Sequence, residues 1–121
     1  MQLHFEKLDV VHVSIDLLAC VDELAEALPP GRGYIRDQVR RSSNSVVLNL
    51  AEGAGEFSPA EKARFYRMAI RSATETLAQL LVMERLALVD DVARARSLTA
   101  RVVSMLTRMV AAAERRASIR P

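Results

Sequence analysis

From Ser58 to Leu88 the chain runs for thirty-one residues with one proline, at the second position, and no glycine. Ser58-Pro59-Ala60-Glu61 is a capping box with proline at the first helical position. The serine hydroxyl accepts from the Glu61 amide, and the Glu61 carboxylate reaches back to the Ser58 amide. A helix therefore starts here and meets no breaker before Leu88, about 45 Å further on at 1.5 Å per residue. An element of that length sets the scale of the whole domain.

What surrounds it is also helical in composition. Half of the 121 residues are hydrophobic, but only 4% are aromatic and there is no tryptophan. The apolar mass is Ala, Leu, Val and Met, which suits helices and excludes a β-sandwich. The length fits one domain, residues 1–121, with enough chain to bury a core without disulfides or metals. Cys20 has no second cysteine to pair with, and its setting in LLACV is that of a core residue. No apolar run approaches the roughly 18 to 20 residues of a membrane span, and MQLHFEKLD lacks the basic head and apolar stretch of a leader. A cytoplasmic protein is expected.

Three further helices follow from periodicity. Asp9 is the candidate N-cap of the first, with Leu17, Leu18, Val21, Leu24, Ala25 and Leu28 recurring at three and four. Asp16, Asp22, Glu23 and Glu26 form its outer face, and Pro29-Pro30-Gly31-Arg32-Gly33 ends it. The second carries Ile35, Val39, Ser42, Val46 and Leu50 on one side and ends near Gly53 to Gly55. Asp90 or Asp91 caps the last, whose core line is Leu98, Val102, Met105, Leu106, Met109 and Ala113. Helices over about 10–28, 35–54, 59–88 and 91–117, joined by short loops, describe an all-α, up-down-up-down four-helix bundle.

The long third helix has two apolar sides. One is Tyr66, Ala69, Ile70, Ala73, Leu77, Leu80 and Leu81; the other is Phe65, Met68, Met83 and Leu86. A lone bundle needs only one stripe. The second stripe, with Leu48 pointing away from the core of the second helix, is the expected contact between copies in a homo-oligomer. The other reading is a wide stripe in a monomer, with Leu48 an ordinary exposed leucine.

Chemistry is sparse. A di-iron bundle site needs Glu-x-x-His pairs on two helices, whereas His4 and His12 both lie near the N-terminus and no such pair occurs. The glycine pairs Gly31/Gly33 and Gly53/Gly55 lack the strand and lysine of a phosphate loop and read as helix stops. The serines of RRSSNS have no histidine placed to act as a base. No cofactor, no metal and no enzymatic activity are expected.

Asn49, Glu52, Ser72 and Glu75 are expected to meet along the seam of the second and third helices. They would fix helix register there by hydrogen bonding, or else form part of a ligand site. Charge offers the other candidate site. Residues 1–30 carry a net −5 and the remainder a net +7, and fifteen of the seventeen basic residues are arginine, whose fork suits carboxylate and phosphate. Arg64, Arg67 and Arg71 share a face of the third helix. Arg94, Arg101, Arg108 and Arg115 recur every seventh residue on the fourth, rising about 10 Å per heptad. Such arginines either track a nucleic-acid backbone or pair with the acidic first helix.

Five segments stand out together: Phe5-Glu6-Lys7-Leu8, Gln38-Val39-Arg40-Arg41, Ser45-Val46-Val47-Leu48-Asn49-Leu50-Ala51-Glu52-Gly53, Phe65, and Ala69-Ile70-Arg71-Ser72-Ala73-Thr74-Glu75. In this order they resemble a known family, the four-helix bundle proteins encoded in 23S ribosomal RNA intervening sequences. The resemblance implies a bundle assembled as a ring-shaped homopentamer with a role in binding RNA or DNA. The chain is also similar in architecture to the accessory proteins of diversity-generating retroelements. That likeness implies the alternative of a protein-interaction scaffold partnering a reverse transcriptase, with its arginines paired structurally. Glu56 departs from the arginine that often follows the Glu-Gly-x-Gly turn, and Ser42-Ser43-Asn44 from a more apolar stretch.

Overall fold

The computed structural model describes residues 2–119. After a 3₁₀ turn at His4–Lys7 come α1 (Asp9–Glu26), α2 (Gly33–Gly55), α3 (Pro59–Arg85) and α4 (Ala93–Ile119), with no strand among the described residues. Each helix packs on its neighbour in the chain, and α1 closes on α4, so that α1 and α3, like α2 and α4, stand on diagonals. Successive helices are antiparallel. Ser42 meets Thr76 while Gly53 meets Tyr66; Arg67 meets Glu114 while Arg96 meets Glu84.

In α3 the buried line is Tyr66, Ala69, Ala73, Thr76, Leu80 and Met83, the alternating three-and-four spacing of a seven-residue repeat. That spacing corrects two assignments made from the sequence. Met83, expected at an intersubunit contact, is 0% exposed in the core of its own chain, whereas Leu81, expected in the core, is 42% exposed. Thr76 is fully buried as well, its Oγ1 donating to the Ser72 carbonyl at 2.9 Å and lying 2.8 Å from Ser42 Oγ. This hydroxyl pair is the polar contact in the α2–α3 core.

Gly53 is not a helix stop. It lies inside α2, and a Cβ there would come within 2.5 Å of Tyr66 Cε1, 2.8 Å of Tyr66 Cδ1 and 3.2 Å of Phe65 Cβ. The absent side chain is what lets α2 and α3 approach at the end where only Glu56, Phe57 and Ser58 connect them. Lys62 seals the junction, its Nζ donating to the carbonyls of Gly53 and Ala54 at 3.1 Å each.

The helix ends follow the expected signals in part. Ser58 Oγ accepts from the Glu61 amide at 3.4 Å, but the Glu61 carboxylate turns outward to Arg64 and not back to the Ser58 amide. Leu8, not Asp9, holds the cap position of α1, without a side-chain bond. Asp91 accepts from the Ala93 amide at 2.8 Å, as a capping residue should. α3 stops at Arg85, short of Leu88, because Ala87 adopts a left-handed φ of 53°. The Leu88 amide then bonds the Met83 carbonyl at 2.9 Å and the Ala87 amide the Glu84 carbonyl at 3.1 Å, a Schellman ending. Burial of Val92, with Leu88 and Val89 packed on the core, holds the turn although alanine gives no local signal for it.

Two substitutions test this geometry. Gly53→Ala adds about 1 kcal/mol of helix propensity but overpacks the junction, and a net loss of about 1–2 kcal/mol in chemical denaturation is expected. Ala87→Gly removes the left-handed strain and should stabilise by about 0.5–1 kcal/mol in the same measurement.

Candidate nucleic-acid interface

The heptad arginines of α4 do not face open solvent alone. Val10 and Asp9 line a groove with Met105, Arg108 and Met109, so the start of α1 lies beside the later turns of α4. At the other end, Arg94 and Glu23 both act on the Cys20 thiol, whose pKa is raised chiefly by burial, with Arg94 opposing and Glu23 adding. Asp9, Asp16 and Glu23 are themselves seven residues apart and all exposed. Two heptad lines on antiparallel helices stay level along their length, which sets Asp16 opposite Arg101 midway between the two anchored ends. The acidic and basic lines thus flank one seam without closing into direct ion pairs. Arg115 lies one heptad further along α4 and has no counterpart in the acidic line.

The remaining acids of α1 turn the other way. Arg40 of α2 binds Asp22 at 2.9 Å and also Glu26, while Arg36 donates to the carbonyls of Ala25 and Leu28 at 3.1 and 3.2 Å. Arg36 therefore closes the carbonyl end of α1 much as Lys62 closes that of α2. Reading the sequence singled out neither residue for this role. The available signal was for Lys62: a cation in the first turns of a helix opposes its own dipole and so has its reason elsewhere.

On α3, Arg64, Arg67 and Arg71 are all exposed. Arg64 binds Glu61 at 2.9 Å and lies over the Phe65 ring, 4.5 Å from its centroid; Arg67 reaches Glu114 of α4 at 3.4 Å. Arg71 makes no ion pair among the described residues. Half-exposed surface pairs of this kind are weak, of order 0–1 kcal/mol, so these guanidinium groups remain exchangeable.

The four polar residues expected to form a network are not joined. Asn49 donates to the Ser45 carbonyl of its own helix at 3.0 Å, Glu52 and Glu75 are exposed, and Ser72 contributes only its backbone carbonyl to the Ser42–Thr76 contact. Residues i and i+4 on one helix reach each other's backbone more easily than they span a seam, and the small buried hydroxyls at Ser42 and Thr76 already occupy the interhelical position. Of the expected oligomer contacts, Leu48 is 56% and Leu86 47% exposed, Phe65 and Met68 are half-buried, and Met83 is withdrawn into the core.

The chain matches a family model for the 23S rRNA-intervening sequence protein over residues 6–108, which takes in the α2–α3 junction. The chain belongs to this family. A search of curated proteins gave no significant match. As a 23S rRNA-intervening sequence protein the chain keeps the family match through α1, α2, α3 and most of α4, leaving outside it the last turns of α4 with Arg115 and Arg116. None of its helices among the described residues is long and apolar enough to cross a membrane. Among the same residues no three His, Cys, Asp or Glu side chains converge as metal ligands.

The charge seam has a measurable signature. Asp16→Arg should lower the melting temperature by about 2–4 °C at low ionic strength. The deficit should shrink near 0.5 M salt, where the Debye length is only a few ångströms, and adding Arg101→Asp should restore it.

Proposed function

We propose that this chain is a non-enzymatic, nucleic-acid-binding protein that acts as a homo-oligomer in the cytoplasm. The observation that carries the reading is the outer face of α3. Arg64, Arg67 and Arg71 stand exposed along it, tied by nothing stronger than surface ion pairs, and Arg115 on α4 is likewise exposed beyond the acidic line of α1. A phosphate backbone replaces such weak carboxylate partners at little cost and releases its own counterions. Arg94, Arg101 and Arg108 contribute less, because the carboxylates across their seam already offset their charge. Exposed Leu48 and Leu86 and half-buried Phe65 and Met68 support assembly through the α2–α3 side, and a ring-shaped pentamer accords with the family resemblance.

A second reading has its own support in those same apolar residues. An accessory subunit that docks a polymerase such as a reverse transcriptase would use Leu48, Phe65, Met68 and Leu86 for the partner, leaving its arginines structural.

Fluorescence anisotropy with structured RNA and with duplex DNA separates the two. Binding at about 50 mM salt that weakens steeply as salt rises is expected, and Arg71→Ala and Arg115→Ala should each flatten the log–log salt slope by about one unit. Absence of binding at that salt would overturn the nucleic-acid reading in favour of the scaffold.

A further inference from the structure

Four arginines of this bundle are tied into ion pairs among the described residues. Arg40 meets Asp22 and Glu26, Arg64 meets Glu61, Arg67 meets Glu114 and Arg96 meets Glu84. Elsewhere two basic side chains share a single pocket. Where the 3₁₀ turn, the first turns of α3 and the last turns of α4 come together, a pocket of about 180 Å³ is lined by His4, Lys62, Tyr66 and Arg116 over an apolar floor that includes Leu8 and Met109. No carboxylate lines it.

The donors are already positioned. Lys62 is fixed by its two bonds to the carbonyls of Gly53 and Ala54, which leaves one of the three ammonium hydrogens free. Tyr66 is held by the contact of its ring with Gly53. Its hydroxyl makes no hydrogen bond among the described residues, and no buried side-chain oxygen there lacks a partner, so the hydroxyl opens toward the pocket. Arg116 is exposed and makes no ion pair among the described residues, so its fork is available. Burial first, and then Arg116, push the Lys62 ammonium below its ordinary pKa, with Glu56 opposing from outside the lining. The two cations therefore repel each other, and an anion between them removes that repulsion.

We propose that this pocket is a binding site for a single phosphate group, held by Lys62, Arg116, His4 and the Tyr66 hydroxyl. The volume limits the ligand, being below the ~300 Å³ at which pockets begin to enclose drug-sized molecules. A phosphate enters; a nucleoside stays outside. The fixed ammonium, the fork and the phenol supply three kinds of donor to a tetrahedral anion above the apolar floor. The site deepens the nucleic-acid reading and depends on it only for the source of the phosphate, which is free inorganic phosphate or a phosphate at the end or along the backbone of RNA or DNA.

The test uses the full chain. Melting temperature is measured with sodium phosphate against sodium chloride at equal ionic strength, and phosphate affinity by calorimetry. Phosphate should raise the melting temperature above chloride, and Arg116→Gln should weaken phosphate binding by about tenfold while keeping the chloride melting temperature. His4→Gln should weaken it less, and Arg85→Gln, at the far end of α3, should leave it unchanged. No phosphate-specific rise, or an Arg116→Gln variant that binds phosphate as the parent does, overturns the site. Anisotropy with a short RNA carrying a 5′-phosphate or a 5′-hydroxyl identifies the source. Preference for the phosphorylated end, competed by free phosphate and lost in Arg116→Gln, supports a terminal phosphate; equal binding that Arg116→Gln weakens supports a backbone phosphate. If free phosphate binds as described and neither RNA does, the site stands and the nucleic-acid reading falls. If RNA binds with no phosphate response, the site falls and that reading stands.

Discussion

Between Gly53 and the ring of Tyr66 there is no space for one more carbon atom, and much of the bundle depends on that closeness. It lets α2 and α3 run against each other from a three-residue connection. It brings the carbonyl end of α2 within reach of Lys62, and it fixes the direction in which the Tyr66 hydroxyl points. Further along the same pair, the close approach allows two short hydroxyls, Ser42 and Thr76, to touch where larger side chains would hold the helices apart. The junction is built from a residue with no side chain and a large one that fills its place, and overpacking at such a site is resisted by the density of the surrounding core.

The four helices were legible in the sequence because each carries an apolar repeat bounded by proline, glycine or a capping residue. Their ends were legible only where a cap residue marks them. Ser58 and Asp91 did, whereas Ala87 did not, since alanine in a left-handed turn is chosen by the burial of Leu88, Val89 and Val92 and not by its own preference. The wrong assignment of Met83 came from tracing an ideal helical wheel of 3.6 residues per turn. The α3 seam follows a repeat of seven over two turns, a small difference that after two heptads moves a residue from flank to core. The polar quartet failed for another reason. Asn49 and Glu52 of α2 and Ser72 and Glu75 of α3 were placed on the seam by direction alone, which does not fix distance, and the smaller Ser42 and Thr76 make the contact across it.

The candidate site was legible as a set of residues and less so as a set of partners. Seven-residue spacing revealed the arginine line of α4 at once, and the same spacing in Asp9, Asp16 and Glu23 was present in the sequence. What the sequence lacked was the pairing of α1 with α4, a contact between the two ends of the domain. Once that pairing is known, the acids of α1 divide cleanly: Asp22 and Glu26 serve Arg40 on α2, and the heptad trio stands opposite α4. A net charge of +2 thus conceals local pairing over part of the surface, with positive charge left without an ion pair among the described residues at Arg71 on α3 and at the end of the bundle holding Lys62 and Arg116.

The opposed charge lines also bear on how the chain reaches its folded state. Packing of α1 on α2, α2 on α3 and α3 on α4 closes only short loops, so those contacts form at low entropic cost. Bringing α1 to α4 closes most of the chain and is the slowest pairing by topology. Three negative charges facing three positive ones in antiparallel order attract at distances where apolar side chains do not yet touch. Opposite charge along the α1–α4 seam thereby favours this long-range pairing in the orientation that the finished bundle requires.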